Sequence, residues 1–443
     1  MIQTAPMKLA VPPEPEAPPP ASAPVPAPAQ SDRAYWIIAA LILITGFFLR
    51  IVPWAGFTGT GFDEALYRDN VIRLDKAGLF NYPLICQLYI DDQRKPDVIT
   101  KLPPTRFFYI YASWVWKRME FGDAPPISPR TEHFAQRDPA LVSLHRVASL
   151  FSCLGLIASG LAAWRILGLR AMPAVLALMA FSPLQIHLSQ HALIDGIFTF
   201  WAVLNLWLLW ENLQRPNSRG FLAAFALGLA AMVITKENSF FVYIALCGLL
   251  VANRWARFGH VTKNLLIVGV AGPLLGLITL VLLAGGPQQF SEIYHLLVSK
   301  AETLTYAIKT GDGPWYRYLV DLMLISPLVL VLAIGGVFSQ VRGHRAYVYL
   351  VAFVGFSYAI MCNIRYGMNL RYASIWDLPL RALASAQVSA IATRFGKWQS
   401  VIVAVTITAL CAYDLRQYSL FFVDGSLYEL VTGGLLQAVK ILK

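Results

Sequence analysis

The sequence predicts an all-α protein that crosses a membrane many times. Of its 443 residues, 57% are hydrophobic and only 14% are charged, and the mean hydropathy of +0.56 lies well above that of soluble domains. Apolar stretches also recur at the length of about 20 residues that a helix needs to cross a hydrocarbon core. We therefore predict a polytopic membrane protein with about 11 transmembrane helices.

The predicted spans follow a proline-rich tail. Residues 1–33 are rich in Pro and Ala and poor in large apolar side chains, which predicts a disordered cytoplasmic tail. We expect residues 34–392 to form the main transmembrane module and residues 393–443 to add the last transmembrane helix and a C-terminal surface segment, to which the sequence assigns no function. The apolar stretches lie near residues 35–54, 141–164, 171–189, 192–211, 221–235, 238–252, 263–284, 318–338, 345–363, 371–392 and 398–414.

Basic residues in the short loops predict the orientation. With the N-terminus in the cytoplasm, loops that carry pairs such as Arg165 and Arg170 all fall on the cytoplasmic face, as the positive-inside rule requires. The long segments 55–140 and 285–317 then lie on the outer face. This loop bias accounts for much of the net charge of +11 without a nucleic-acid partner. The five cysteines are scattered and predict no disulfide framework.

The outer loop 55–140 is predicted to carry two amphipathic surface helices. Residues 63–77 place Tyr67, Val71 and Leu74 on one stripe, with charged residues on the other faces. The second helix, residues 105–119, follows two prolines and carries a stripe of aromatic residues typical of a membrane interface. We expect both helices to lie at the depth of the lipid headgroups.

An acidic pair, Asp63-Glu64, stands at the start of the first of these helices. Ionised residues beside a bilayer are costly to hold and therefore suggest function. The positive end of the helix dipole favours the charged carboxylate, which can act as a base. The alternative interpretation is that Asp63 is only an N-cap.

Further polar residues recur at the outer ends of predicted spans. Asp195, Lys236 and Arg371-Tyr372 all fall on the outer side in this topology. Two cations beside a carboxylate suit a phosphate-linked substrate, because Arg can donate hydrogen bonds to two phosphate oxygens at once and Lys acts as a point charge. The alternative is that each cation merely extends from a helix end to the headgroups.

The motifs in chain order are Phe62-Asp63-Glu64-Ala65-Leu66-Tyr67, Lys101-Leu102-Pro103-Pro104, Ser182-Pro183 with Leu188-Ser189 and Asp195, Thr235-Lys236, Gly313-Pro314-Trp315-Tyr316 with Tyr318, and Arg371-Tyr372 with Pro379. Their order resembles the C superfamily of multi-spanning glycosyltransferases, in particular its branch of protein O-mannosyltransferases and lipid A aminoarabinose transferases. The resemblance covers about residues 35–390. It departs at Gln190-His191, where an Arg is common, and at Glu237, where a glycine is usual.

The resemblance implies an inverting glycosyltransferase. It would move a monosaccharide, a hexose or a pentose, from a polyprenyl-phosphate-linked donor to a hydroxyl or phosphate of a protein, glycolipid or polysaccharide acceptor. Asp63 would be the catalytic base, Glu64 would orient either Asp63 or the acceptor, and the donor phosphate would bind Lys236 and Arg371. The residues expected to line this site are Tyr67, His191, Asp195, His295 and Tyr372.

The resemblance leaves a metal ion optional, since some members of the superfamily use a divalent cation. The only other acidic pair in the outer loop, Asp91-Asp92, lies in a turn-like stretch that we interpret as solvated surface, so we predict that no metal is obligatory. The composition of the tail favours a bacterial inner membrane, with the active site in the periplasm. Two other classes stay open: a transporter or flippase of a lipid-linked or anionic solute, and a membrane scaffold without catalysis.

Overall fold

The computed structural model describes residues 30–53, 61–340, 343–365 and 367–442. It is 79% helical and contains no strand among these residues, as the sequence predicts. Most of the predicted disordered tail lies outside the described residues, and residues 30–33 form the first turn of a helix.

Twenty α-helices build the described part of the chain. They are joined by 3-10 turns at Leu79–Asn81, Leu370–Trp376 and Thr393–Trp398 and by a π-helical turn at Ser419–Asp424. In chain order the helices are α1 Gln30–Ile51, α2 Phe62–Ala77, α3 Tyr82–Arg94, α4 Phe107–Phe121, α5 Phe134–Arg137, α6 Pro139–Leu167, α7 Met172–Ala180, α8 Pro183–Gln190, α9 Asp195–Gln214, α10 Arg219–Val233, α11 Ser239–Ala256, α12 Lys263–Ala284, α13 Pro287–Thr303, α14 Thr305–Gly311, α15 Arg317–Ile325, α16 Pro327–Gln340, α17 Arg345–Met361, α18 Asp377–Ala392, α19 Gln399–Tyr418 and α20 Thr432–Ala438.

Each predicted span coincides with one helix or with two consecutive helices. By length and composition, five helical segments of the described residues are apolar enough to cross a membrane, or six if the bent pair α7–α8 counts as one span. Three shorter apolar helices, α10, α16 and α17, accompany them. The structure therefore supports several spans, and the count of eleven stays a prediction. The five segments are Asp32–Ile51, Pro139–Leu167, Ser239–Ala256, Lys263–Ala284 and Leu370–Asp424.

The span predicted at residues 171–189 is broken in two. Helices α7 and α8 meet at an angle of 50°, because Pro183 has no N–H to continue the ladder and disfavours a helical conformation at Ser182. Buried Arg50 donates hydrogen bonds of 2.9 Å to the carbonyl oxygens of Met179 and Ala180 beside the break. Carbonyl groups freed by a broken helix need such partners at membrane depth.

The outer loop contains more helix than predicted. Helices α2 and α4 occupy the two predicted positions, while their location at the membrane surface stays a prediction. Helix α3 was not predicted, and Asp91-Asp92 lies in its last turn rather than in a loop turn. The Asp92 carboxylate is 2.6 Å from Arg73 and 2.8 Å from Lys95, so Asp92 forms structural ion pairs, while Asp91 accepts a hydrogen bond from Gln87. Helices α2, α3, α4 and α6 share a core that is separate from the main core of the spans.

Candidate active site

The first turn of α2 presents Asp63 to the interior of the protein. Gly61, not Asp63, is the N-cap of the helix, so the interpretation of Asp63 as an N-cap is wrong. The Asp63 Oδ2 atom lies 3.0 Å from Nη1 of Arg371. The carboxylate keeps 16% of its side-chain surface exposed, so it is partly accessible from the surface.

The neighbouring carboxylate of Glu64 has a different environment. Its side chain is 1% exposed, one oxygen accepts hydrogen bonds from the backbone of Gly61 at 2.7 Å, and the other accepts from Ala192 at 2.8 Å. The second oxygen also lies 3.1 Å from Nδ1 of His191. Burial opposes ionisation, but the interactions with His191 and Gly61 outweigh it and lower the pKa of Glu64 to about 2. Glu64 thus ties the start of α2 to the loop between α8 and α9.

Arg371 lies where three carboxylates meet. It is the second residue of the 3-10 turn Leu370–Trp376, which begins with a hydrogen bond from the Arg371 backbone to Asn369 Oδ1. Besides Asp63, its guanidinium lies 3.9 Å from Asp195 and 3.5 Å from Glu429. The Arg371 side chain is 6% exposed, so these carboxylates supply the charge compensation that a buried cation needs.

Lys236 forms a second ion pair beside the first. It lies in the turn between α10 and α11, and its Nζ donates to Asp195 Oδ1 at 2.6 Å. Both side chains are almost fully buried. The ammonium also sits 4.3 Å from the ring centroid of Tyr372, a cation–π geometry. Asp195, the first residue of α9, therefore contacts both predicted phosphate-binding cations.

A third pair, Arg106 with Glu237, was not predicted as part of the site. The guanidinium of Arg106 donates hydrogen bonds from two nitrogens to the Glu237 carboxylate, one of them at 3.1 Å. It also donates to the hydroxyl of Tyr67 at 2.7 Å. This pair joins the outer loop to the turn that carries Lys236, and it gives the carboxylate at position 237 a partner.

The C-terminal segment also reaches the site, although no sequence pattern predicted this. Glu429 Oε2 accepts from Asn369 at 3.3 Å, in addition to its contact with Arg371. The Tyr428 ring packs over Gly61 and lies 5.1 Å from the ring of His191. A lone acid in an apolar stretch carries no pattern that would have identified it.

The site as a whole brings four carboxylates together with three cations, so it carries one net negative charge when all are ionised. Every cation is held by an internal carboxylate. An anionic substrate that binds a cation here would therefore compete with a carboxylate already paired with it. The carboxylates are Asp63, Asp195, Glu237 and Glu429, and the cations are Arg106, Lys236 and Arg371.

Most of the predicted lining residues lie in or beside this cluster, and one does not. Tyr67, Asp195 and Tyr372 contact its charged groups, and His191 joins it through Glu64. His295 is exposed on α13 and forms no hydrogen bond or ion pair with the described residues of the cluster.

The residues do not form an evident metal site. Within the described ranges, no group of three or more His, Cys, Asp or Glu side chains is placed to hold a metal ion. Asp63 and Asp195 instead face Arg371 and Lys236.

An apolar cleft of about 820 Å³ opens between α9, α10 and α12. Its lining includes Ile234, two residues before Lys236, and extends to Ser218 at the opposite end of α10. A helix of the length of α10 spans about 22 Å, and the cleft follows it from one end to the other. The cleft is lined almost entirely by apolar and aromatic side chains.

No protein-family model matches the sequence, and no curated protein matches it. Solved structures are similar in fold. The oligosaccharyltransferase of Archaeoglobus fulgidus with zinc and sulfate has a TM-score of 0.56 at 13% identity, over 86% of this chain and 53% of that one. The oligosaccharyltransferase AglB of the same organism, with an inhibitory peptide and a dolichol-phosphate, has a TM-score of 0.57 at 12% identity, over 88% and 56%. ArnT from Cupriavidus metallidurans, bound to undecaprenyl phosphate, has a TM-score of 0.51 at 13% identity, over 94% and 77%.

AglB and ArnT, a lipid A aminoarabinose transferase, are both membrane glycosyltransferases of the GT-C superfamily. This chain has their fold, which confirms the resemblance drawn from the sequence motifs. The chain spans about half the length of the oligosaccharyltransferases. The likeness is one of fold.

Proposed function

We propose that this protein is an inverting glycosyltransferase that moves a monosaccharide from a polyprenyl-phosphate-linked donor to a hydroxyl or phosphate of an acceptor. The observation that carries the proposal is the contact of one partly exposed carboxylate, Asp63, with Arg371, beside the buried pair Lys236–Asp195. A base next to two phosphate-binding cations is the arrangement that this reaction requires.

In the proposed reaction, Asp63 accepts the proton of the acceptor hydroxyl. The acceptor oxygen attacks the anomeric carbon from the face opposite the phosphate, and the bond from that carbon to the phosphate oxygen breaks with its electron pair leaving on the lipid phosphate. Arg371 and Lys236 stabilise the charge that develops there. A correctly placed base contributes typically about 10²–10⁴ in rate.

The ion pair between Asp63 and Arg371 gives donor binding a role in activating the base. When the donor phosphate binds Arg371, it competes with the Asp63 carboxylate for the guanidinium, and Asp63 becomes available to the acceptor. Glu64, held by three contacts in the first turn of α2, keeps Asp63 in place. We assign Glu64 a positioning role on this ground.

The apolar cleft beside Lys236 supports a lipid-linked donor. A polyprenyl chain that enters between α9, α10 and α12 would bury its first isoprene units in the cleft while its phosphate lies near the turn at Lys236. ArnT was solved with undecaprenyl phosphate and AglB with a dolichol-phosphate; we propose the same ligand class here. The acceptor is a protein, glycolipid or polysaccharide.

We further propose that the reaction occurs on the periplasmic face of a bacterial inner membrane and needs no metal. The positive-inside orientation supports the first part, and the pairing of the central carboxylates with cations supports the second. Sugar transfer that persists in the presence of a chelator would agree with a metal-independent reaction. Loss of transfer that zinc or magnesium restores would contradict it.

The proposal is tested with purified protein in lipid nanodiscs, a radiolabelled panel of polyprenyl-phosphate sugars and a crude envelope extract as acceptor. We expect wild-type protein to transfer one of the sugars. The Asp63→Asn variant should lose at least about a hundredfold of this rate while it still binds the donor. The matched control is Asp69→Asn, on the same helix and half exposed, which should transfer at the wild-type rate.

Protein that binds the lipid-linked donor but never transfers sugar, with no effect of Asp63→Asn, would replace the transferase proposal by the transporter or scaffold interpretation.

A further inference from the structure

Three buried polar atoms around the Asp63–Arg371 pair lack hydrogen-bond partners among the described residues. They are the hydroxyl of Tyr428, the Oε1 atom of Glu429 and the Nε atom of Arg371. Glu429 Oε1 keeps its 3.5 Å ion pair with Arg371, and Tyr306 also contacts the Glu429 carboxylate, but the Tyr428 hydroxyl and Arg371 Nε have no such contact. A buried polar atom without a partner costs about 1–3 kcal/mol, so these atoms at one site call for an explanation. A polar ligand that binds here would satisfy them.

The positions of these atoms place them at the catalytic carboxylate. A Cβ atom at Gly61, two residues before Asp63, would lie 2.6 Å from the Tyr428 hydroxyl. Glu429 Oε1 lies 3.5 Å from Nη2 of Arg371, the cation that Asp63 contacts. The Glu429 side chain is held by Asn369 through its other oxygen, which leaves Oε1 directed at the cluster.

The chemistry of the three atoms identifies the ligand class. A carboxylate oxygen only accepts hydrogen bonds, a guanidinium nitrogen only donates, and a phenol does both. A phosphate diester offers acceptors alone, so it cannot satisfy Glu429 and is repelled by it. A sugar ring carries several hydroxyl groups that each donate and accept, and it can satisfy all three atoms.

We propose that Tyr428 and Glu429 bind hydroxyl groups of the sugar on the donor lipid, so that the C-terminal segment selects the sugar while Arg371 and Lys236 hold the phosphate. This assignment rests on the proposed function. It gives a role to residues 425–431, which connect the π-helical turn Ser419–Asp424 to α20. The segment is anchored by Leu430, which is fully buried in the core of the spans.

The experiment compares two probes that differ only in the sugar. Wild-type protein and variants in nanodiscs are titrated with undecaprenyl phosphate and with the sugar-bearing undecaprenyl phosphates of the panel. Glu429→Gln and Tyr428→Phe should bind undecaprenyl phosphate at least as tightly as wild type, because neither removes a phosphate-binding cation. Both should lose about tenfold in affinity for the preferred sugar lipid, the effect of one hydrogen bond. Asp424→Asn, an exposed acid just before the segment, is the matched control and should bind both probes like wild type.

A deoxy donor distinguishes a direct contact from an effect on folding. A donor that lacks the contacted hydroxyl should bind wild type about tenfold more weakly and should bind Glu429→Gln no more weakly than the complete donor does. Equal weakening of both probes in Glu429→Gln would mean that Glu429 acts only through Arg371 and would overturn the assignment. Wild type that binds the two probes equally would also overturn it, while the proposed function stands. Wild type that binds neither probe would overturn both.

Discussion

Asp63 and Arg371 are 308 residues apart in the sequence, yet their side chains meet at 3.0 Å. The contact joins the outer loop at α2 to the 3-10 turn that precedes α18. Because Arg371 also lies near Asp195 and Glu429, its planar guanidinium links carboxylates from three parts of the chain. This one residue therefore connects α2, the start of α9 and the C-terminal segment.

The first prediction tests whether the planar guanidinium group of Arg371 is needed to bind phosphate. Arg371→Lys keeps the charge but loses the fork of donors, so one ammonium cannot serve several oxygens in the same plane. We expect the affinity for undecaprenyl phosphate to fall at least about tenfold. Titration of nanodisc-embedded protein measures it, with the exposed Arg416→Lys as control. Wild-type affinity in Arg371→Lys would show that the phosphate does not bind at this residue.

The second prediction separates the structural role of Lys236 from its role toward substrate. Lys236→Met or Asp195→Asn alone leaves a buried charge without its nearest partner, which costs about 3–5 kcal/mol. The double variant removes both charges, so the thermal midpoint should recover most of the loss. Transfer activity should stay absent, because the phosphate-binding cation is gone. A double variant as unstable as the single ones would disprove the compensation.

The third prediction is a pH dependence set by Glu64. Its pKa is lowered from the usual 4.5 to about 2 in the folded protein, so the ionised form stabilises the fold by roughly 3 kcal/mol at neutral pH. This stability is complete above the unfolded pKa and is lost as the pH falls towards 2. Unfolding at pH 7 and pH 3 should show the difference between wild type and Glu64→Gln shrinking at the lower pH.

The control for this prediction is Glu132→Gln, an acid of the same outer loop that is almost fully exposed. It should leave stability unchanged at both pH values. A wild-type advantage over Glu64→Gln that grows at pH 3 would contradict the sign of the linkage.

The fourth prediction tests the contact between α2 and the C-terminal segment. A methyl group on Gly61 would lie 2.2 Å from two ring carbons of Tyr428, so the ring or the helix start must move. We expect Gly61→Ala to cost about 1–3 kcal/mol and to reduce transfer. Gly433→Ala, at a position with open space around it, is the control. Wild-type stability and transfer in Gly61→Ala would show that this contact does not matter.

The fifth prediction concerns the apolar cleft. Ala231 lines it one turn before Thr235, so Ala231→Phe should fill the space proposed for the first isoprene units. The affinity for undecaprenyl phosphate should fall about tenfold, whereas a short-chain prenyl phosphate should bind as before. Ala223→Phe places the same ring on an exposed face of α10, outside the cleft, and should change neither affinity. Equal losses of affinity for both lipids would mean that the polyprenyl chain binds outside this cleft.

The helical architecture was predictable because the apolar stretches of the sequence coincide with helices, while the number of spans stays a prediction. The break at Ser182–Pro183 was missed because the apolar run continues through it, although the proline signals a break. Helix α3 also had a signal, since Tyr82, Cys86 and Tyr89 recur at helical spacing and are buried. The prediction was a turn instead, because the stretch that contains the two aspartates at its end is turn-like in composition.

The candidate site was predictable only where polar residues interrupt or end apolar stretches. Lys236 and Arg371 stand out on that ground, Asp63 stands out as one of two adjacent acids at the start of a predicted helix, and the structure brings the three together. Arg106 and Glu429 do not stand out, because their partners are distant in sequence and a single charge outside a span has no local pattern. Their recognition requires the tertiary structure.

The position of Glu429 late in the sequence affects when the site becomes complete during synthesis. Ribosomes add about 5–20 residues per second, so Glu429 follows Asp63 out of the ribosome by roughly 20–70 seconds. During that interval the nascent chain already carries the proposed base Asp63 and, later, the two proposed phosphate-binding cations, but it lacks Tyr428 and Glu429, the residues proposed to bind the sugar. A newly made molecule would therefore begin to discriminate among donor sugars only once its final segments have left the ribosome and folded back onto α2.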